Sequence, residues 1–174
     1  MKAPHFIWLI IILFSVKCNN PSVKSVLIKK PGKNELADIN RYFVQKDRER
    51  IQNYIERKNL SMKESSNGLW YYIKKEGTGK YFTDNDKISF DYVCSLLDGT
   101  ECYSSDKLGP KDFVLGKSEI ETGLDEGLRL LKPGGAAIFI LPPFLAYGMV
   151  GDGKSISSRA ILVYDIKIHE GIGK

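Results

Sequence analysis

The side chains that most often perform covalent or metal chemistry are scarce in this chain. The two histidines, His5 and His169, lie near opposite ends of the 174 residues, and the three cysteines are Cys18, Cys94 and Cys102. A histidine-based nucleophilic triad or a multi-histidine metal site needs several such groups close together. The sequence therefore argues against both kinds of site.

The stretch 113–135 contains the clearest helix signal. Ser118, followed three residues later by Glu121, fits a capping box, in which each side chain satisfies a backbone N–H of the first turn. We expect the helix to begin near Ile120 and to end before Pro133. Apolar residues at i, i+4, i+8 and i+11 form one stripe, which must pack on a sheet. They are Ile120, Leu124, Leu128 and Leu131.

Strand signals surround this helix. Asp98-Gly99 predicts a two-residue hairpin turn. Five or six short strands with one short helix indicate a small α+β domain, in which an antiparallel sheet wraps the helix. The predicted strands cover residues 69–73, 87–97, 100–103, 136–141 and 160–169, with a further apolar run at 113–116.

The predicted hairpin also bears on the cysteines. A two-residue turn pairs Ser95 with Cys102 and Cys94 with Tyr103, so that Cys94 faces away from Cys102. This arrangement disfavours a disulfide, even in an exported chain. Cys102 is then expected to fill a small apolar position.

The N-terminal part divides into a leader (1–18), a linker (19–38) and a helical extension (39–66), followed by the main domain (67–174). Apolar residues at helical spacing among charged ones predict a helix over about 39–59. Its apolar face is expected to dock on the following domain or on a second copy.

The net charge of +5 is unevenly distributed. Residues 19–66 carry eleven Lys or Arg against six acids, whereas residues 67–174 carry thirteen against fifteen. Because the compact part is slightly acidic, nucleic-acid binding is poorly supported. The basic segment can contact anionic lipid headgroups or form a solvated linker and helix face.

The first eighteen residues have the pattern of an export signal, with a basic start and an apolar run from Phe6 to Val16. Cys18 follows at once and resembles the lipidated cysteine of bacterial lipoproteins, although Ser15 and Lys17 depart from the usual residues there. A lipid anchor at Cys18 is therefore expected, with an uncleaved or conventionally cleaved leader as the alternatives.

Several motifs of the main domain, taken in order, closely resemble the FKBP-type peptidyl-prolyl isomerases. The leader, the charged helix and the loop around Gly151–Ile156 further resemble FKBP-type lipoproteins associated with gliding motility in bacteria. The motifs are Gly68-Leu69, Lys75–Gly79, Phe90-Asp91-Tyr92, Leu97–Thr100, Phe113–Gly116, Gly127, Pro142-Pro143 and Leu145–Gly148.

The resemblance implies catalysis of rotation about X–Pro bonds in an apolar pocket, without a metal or cofactor. The positions that match pocket walls are Tyr92, Phe113, Ile120, Tyr147 and Tyr164. The resemblance also assigns the backbone N–H of Glu121 and the Tyr147 hydroxyl as donors to the substrate. Residues around the pocket that match substrate-binding positions are Cys102, Tyr103, Leu124 and Ile156.

Five positions depart from the family pattern. Leu124 replaces a common Trp at the pocket floor, Cys102 replaces an aromatic residue, Tyr103 replaces Asp, and Ser157-Ser158 replace a Pro pair. These departures bear on catalytic efficiency and on binding of the family's macrolide inhibitors.

Three functions remain open on the sequence. The first is an isomerase acting on proline-containing segments of exported proteins at a bacterial envelope membrane. The second is a binding or chaperone module that uses the same pocket with little turnover. The third is a structural lipoprotein of an envelope complex that makes contact through the 39–59 helix. The oligomeric state is left undetermined.

Overall fold

The computed structural model describes residues 32–117 and 119–170, which form a seven-stranded antiparallel sheet with helices on both faces. This is the α+β fold that the sequence predicts. The helices are α1 (Lys33–Lys58), α2 (Ser105–Leu108) and α3 (Thr122–Leu128), with a 3₁₀ turn at Pro143–Leu145. The strands are β1 (Lys63–Glu64), β2 (Trp70–Lys75), β3 (Lys87–Leu96), β4 (Glu101–Ser104), β5 (Lys111–Val114), β6 (Ala136–Leu141) and β7 (Leu162–Ile168).

The longest strand, β3, organises the sheet, whose order is β1-β2-β6-β7-β3-β4. β7 pairs with β3 along one side, from Phe90 to Leu96. On the other side, β5 pairs with the beginning of β3 and β4 with its end. Strands from distant parts of the sequence are thereby brought onto one concave face, which we call the inner face.

The inner face carries the main hydrophobic core, because alternate residues of each strand point toward α3. Leu124 and Leu128 of α3 are fully buried there. Gly127 lets the helix approach closely, since a Cβ at this position would come within 2.9 Å of the Phe139 ring. Ile120 and Leu131 belong to the predicted stripe but lie just outside the helix, which has only seven residues.

The opposite, outer face is covered by α1, which therefore docks on the sheet of its own chain. Ile51 of α1 is 1% exposed and packs in a second cluster with Ile140, Ile161 and Val163. The helix starts at Lys33, so residues 33–38, which we expected in the linker, are helical. The rest of the predicted linker up to residue 31, together with the leader, lies outside the described residues.

The hairpin between β3 and β4 differs from the prediction. The Leu96 N–H donates to the Thr100 carbonyl at 2.9 Å, so three residues rather than two form the loop. Cys94 pairs with Tyr103 as predicted, but Ser95 pairs with Glu101 and Cys102 falls in a bulge. The prediction that the two thiols face apart is wrong, because the bulge lets Cys102 pack on the same core as Cys94. Both thiols are free.

Candidate functional site

The predicted site residues of the main domain converge at one place, between the inner face of the sheet and the start of α3. Five of them are buried within the inner core, namely Tyr92, Phe113, Leu124, Ile156 and Tyr164. Four are half-buried and pack against that core, namely Cys102, Tyr103, Ile120 and Tyr147. The tenth, Glu121, is hydrogen-bonded to Tyr164. Cys18, the predicted lipidation site, lies outside the described residues.

Adjacent strands supply the aromatic walls. Tyr92 of β3 and Tyr164 of β7 have ring centroids 6.3 Å apart, and Tyr92 also packs edge-on against Phe90 at 6.0 Å. Because the strands are neighbours in the sheet, their inward side chains stand beside one another. Ser105 further fixes this part of β3, since its Oγ accepts from the Tyr92 N–H at 3.1 Å.

Glu121 occupies the N-cap of α3, and its side chain does not close a capping box. Its Oε1 accepts instead from the Tyr164 hydroxyl at 2.7 Å, across the pocket. The predicted reciprocal role of Glu121 is therefore wrong, and the other member, Ser118, lies outside the described residues. Since Glu121 precedes the first turn, its backbone N–H has no acceptor within the helix and can serve a bound carbonyl group.

The Glu121 carboxylate puts a charged group inside an otherwise apolar pocket. Only 7% of the residue is exposed, and its Oε2 is buried without a hydrogen-bond partner. Lys111 Nζ lies 3.9 Å from that oxygen, just beyond hydrogen-bond distance. Lys111 shares a face of β5 with Phe113, so a charged pair stands at the rim. Lys111 is not among the predicted site residues, because it lies just before the predicted apolar run 113–116. Its spacing of two residues from Phe113 puts both side chains on one face of a strand.

Burial of the tyrosine hydroxyls determines their acidity. Desolvation raises the pKa of Tyr147 and of Tyr164 well above the ordinary value, and the nearby Glu121 carboxylate raises both further. Burial likewise raises the pKa of the Cys94 thiol to about 12. These groups are therefore protonated donors at neutral pH.

The long loop between β6 and β7, residues 142–161, forms the lip of the pocket and contributes Tyr147 and Ile156. Asp152 holds its tip, because one carboxylate oxygen accepts from the Lys154 and Ile156 N–H groups, both at 2.8 Å. The other oxygen accepts from the Tyr103 hydroxyl. Tyr103 thus ties the loop to β4.

Asp125 of α3 fixes the wall that Phe113 contributes. Its Oδ2 accepts from the Gly116 N–H at 3.0 Å, just after β5, and its Oδ1 accepts from Arg129 Nε at 2.8 Å. The end of β5 is thereby held against the helix. Within residues 32–117 and 119–170, no three His, Cys, Asp or Glu side chains come together as metal ligands would.

Comparison with known families agrees with this geometry. Residues 79–169, about half of the chain, match the model of the FKBP-type peptidyl-prolyl cis-trans isomerases. A probable isomerase of this type, FkpA from Neisseria meningitidis serogroup B, is 41% identical over 109 residues, which are 62% of this chain and 39% of that protein.

A longer match is FkpA from Buchnera aphidicola subsp. Schizaphis graminum, 31% identical over 88% of this chain and 62% of that protein. The chain therefore spans about two to three fifths of the length of these curated relatives. Among solved structures, FkpA from Escherichia coli superposes with a TM-score of 0.62 at 25% identity, covering 83% of this chain and 75% of that one. AtFKBP13 gives 0.57 at 31% identity and is covered over 98% of its length.

Proposed function

The chain belongs to the family of FKBP-type peptidyl-prolyl cis-trans isomerases, and from that membership we propose that it isomerises X–Pro bonds in exported or envelope proteins. The observation that carries the proposal is the convergence of three tyrosines, Tyr92, Tyr147 and Tyr164, near the start of α3. Rotation about the C–N bond faces a barrier of about 18–20 kcal/mol, because resonance gives that bond partial double-bond character.

Such a pocket lowers the barrier without covalent chemistry. Aromatic walls exclude water from the prolyl imide, and so remove hydrogen bonds that favour the planar, charge-separated amide. In this proposal the Glu121 N–H and the Tyr147 hydroxyl hold the carbonyl group as it twists. Only interactions that are stronger in the twisted state than in the planar one accelerate the rotation. No step requires a nucleophile, a metal or a cofactor.

The test is cis–trans exchange of X–Pro peptides, followed by NMR exchange spectroscopy with the full chain. We expect exchange above the uncatalysed rate, with kcat/KM varying among residues placed before proline. If the peptide binds saturably but exchanges only at the uncatalysed rate, the protein is a binding module and not an isomerase. If the peptide neither binds nor exchanges faster, the structural role is the hypothesis that remains.

One observation favours the low-turnover binding or chaperone alternative. The Glu121 carboxylate lies close enough to Tyr147 to raise the pKa of its hydroxyl, so it competes with a substrate carbonyl for that donor. Leu124, assigned to the pocket floor by the resemblance, is aliphatic, so the floor lacks an aromatic ring. Both features reduce the stabilisation that the pocket offers to the twisted imide, while leaving an apolar surface for proline.

We further propose that the protein is held at a bacterial envelope membrane through a lipid on Cys18, facing the periplasm. The support is the leader pattern in the sequence. In the part of the chain that the structure describes, no helix has the length and apolar character to cross a bilayer. Labelling with a fatty acid should mark the wild type and not Cys18→Ser, and equal labelling of the two would refute the anchor.

A role in gliding-motility machinery is also proposed, from the resemblance of the leader, the charged helix and the loop around Gly151–Ile156 to FKBP-type lipoproteins associated with gliding motility. If isomerisation is what the machinery needs, Tyr147→Phe should restore motility to a deletion strain less well than the wild type does. Full restoration by an inactive pocket variant would instead favour a structural lipoprotein.

A macrolide inhibitor of the family is a second proposed ligand. The relevant feature is Leu124, which is fully buried and which the family resemblance assigns to the pocket floor in place of a Trp. Leu124→Trp should raise macrolide affinity if the surrounding core admits the larger ring, since overpacking a filled site is destabilising. Titration of both folded proteins with one macrolide tests this expectation.

A further inference from the structure

We propose that Asp47 and Arg159 are positioning residues of the pocket, which join α1 on the outer face to the loop that forms the pocket lip. The inference rests on the proposed isomerase function for its catalytic consequence, but its structural part can be tested alone. If the inference holds, α1 helps to hold the loop that carries Tyr147 and Ile156 in the position that a substrate meets.

The Arg159 side chain makes three contacts, two with α1 and one with its own loop. Its Nη2 donates to Asp47 Oδ2 at 2.6 Å, and its guanidinium carbon lies 4.0 Å from the centroid of the Phe43 ring. Its Nη1 lies 3.4 Å from the Met149 sulfur, back on the loop. A planar guanidinium can stack on a ring and bind a carboxylate at the same time, which a lysine cannot do.

The backbone of Arg159 closes the base of the loop. Its N–H donates to the Gly148 carbonyl at 2.9 Å, which joins the two limbs just beyond Tyr147. Arg159 has a φ of +56°, a conformation that non-glycine residues rarely adopt and that surrounding contacts must hold. The salt bridge to α1 is such a contact, and it acts at the point where the limbs meet.

Asp47 is a strong partner because it is buried. Only 4% of this carboxylate residue is exposed, although it lies on a helix rich in surface charge. Arg50 Nη1 is 3.5 Å away on the same helix, but 57% of the Arg50 side chain is exposed. A buried carboxylate without its partner is costly, so the Arg159 contact is expected to persist.

The loop therefore has two anchors on different elements. Asp152 at the tip is bonded to Tyr103 of β4, and Arg159 at the base is bonded to Asp47 of α1. Ile156 lies between these anchors, and Tyr147 directly precedes Gly148, whose carbonyl accepts from the Arg159 N–H. Releasing the base should widen the range of positions that both side chains occupy and lower the fraction of molecules with a competent pocket.

The structural part is tested by amide hydrogen exchange in the full chain. Asp47→Asn keeps the shape of the side chain and removes its charge, and Phe43→Leu removes only the ring contact. The matched control is Asp38→Asn, which breaks the exposed Arg41–Asp38 pair on the same helix. We expect faster exchange of the Arg159 and Gly151 amides in the two test variants and wild-type exchange in the control.

The catalytic part is tested by kcat/KM on one X–Pro peptide, well below the unfolding temperature and per folded molecule. Asp47→Asn and Arg159→Gln should each lower kcat/KM about 5-fold or more, the lower end of coupling between linked sites. The double variant should be no worse than the poorer single one, because both changes break one contact. A merely structural pair would lower the melting temperature and leave this kcat/KM unchanged.

The outcomes separate the two proposals. A wild type that does not accelerate exchange refutes the isomerase function, and the anchor is then decided by amide exchange alone. Unchanged amide exchange in Asp47→Asn and Phe43→Leu overturns the anchor, whatever the activity. Faster loop exchange with unchanged kcat/KM in an active protein overturns the positioning role. If Asp47→Asn fails to fold, Phe43→Leu supplies both measurements.

Discussion

The two faces of the sheet are covered by helices that differ in almost every respect. On the inner face, α3 has seven residues and places Leu124 and Leu128 in a large core, where polar side chains meet around Glu121. On the outer face, α1 has 26 residues but buries only Asp47 and Ile51 fully. A short helix can thus organise a core, whereas a long one can add a small second layer.

The difference shows how this sheet combines chemistry and support. The inner layer has apolar walls with hydroxyl groups in them, as expected of a pocket that desolvates an imide. The outer layer has one small apolar cluster and a salt bridge between Asp47 and Arg159 at its edge. In this account the inner layer binds the substrate and the outer layer fixes the lip that surrounds it.

The largest effects are expected from cavities in the two layers. Leu128→Ala and Ile51→Ala each remove most of a fully buried side chain, and each should cost about 2–5 kcal/mol in the free energy of unfolding. If α1 is an integral layer, urea unfolding of Ile51→Ala should remain a single transition at a lower midpoint. A midpoint unchanged from wild type, with α1 melting separately, would show that the outer layer is peripheral.

A smaller effect is expected from the bond between Tyr164 and Glu121. Tyr164→Phe leaves a buried carboxylate without its donor, which should cost about 1–3 kcal/mol. Tyr72→Phe, at a half-exposed position on β2, is the control and should change little. Adding Glu121→Leu to Tyr164→Phe should recover stability, since replacing both partners by apolar groups can be nearly neutral. Equal denaturation midpoints for the two Tyr→Phe variants would contradict this role.

Alkaline pH should weaken the inner layer through Cys94. Its pKa is about 12 in the folded chain because the thiol is buried, against about 8.5 when unfolded. The raised folded pKa means that its contribution to stability is complete below about pH 8.5 and falls as pH rises toward 12. Between pH 9 and 10 the loss should be about 1 kcal/mol. Cys94→Ala should flatten this slope in urea unfolding more than Cys102→Ala, and an unaltered slope would contradict the assignment.

Much of the inner layer could be predicted from sequence, because its signals are local or follow the order of motifs. The span of β6 is found, and so is the grouping of Tyr92, Tyr147 and Tyr164. Of the predicted stripe, only Leu124 and Leu128 lie within α3. The turn after Leu96 was misjudged because Asp98-Gly99 fits both two- and three-residue loops, and only the sheet register decides between them. The side-chain role of Glu121 depends on Tyr164, 43 residues away.

The outer layer was harder to predict for a physical reason. Its cluster joins α1 to β6 and β7, so no local period reveals it. One signal was present, since Ala136–Leu141 is apolar at every position, as in a strand buried on both faces. Asp47 and Arg159 are 112 residues apart, so no pattern in the sequence around either residue indicates that they pair.

The central claim, that the inner pocket performs the isomerisation, is tested most directly by one hydroxyl group. Tyr147→Phe keeps the aromatic wall and removes a donor worth about 0.5–1.5 kcal/mol, so kcat/KM for an X–Pro peptide should fall roughly 2- to 13-fold. Tyr42→Phe, on the exposed side of α1, is the control and should match the wild type. We expect a loss for Tyr147→Phe alone, and equal kcat/KM in all three folded proteins would contradict isomerisation in this pocket.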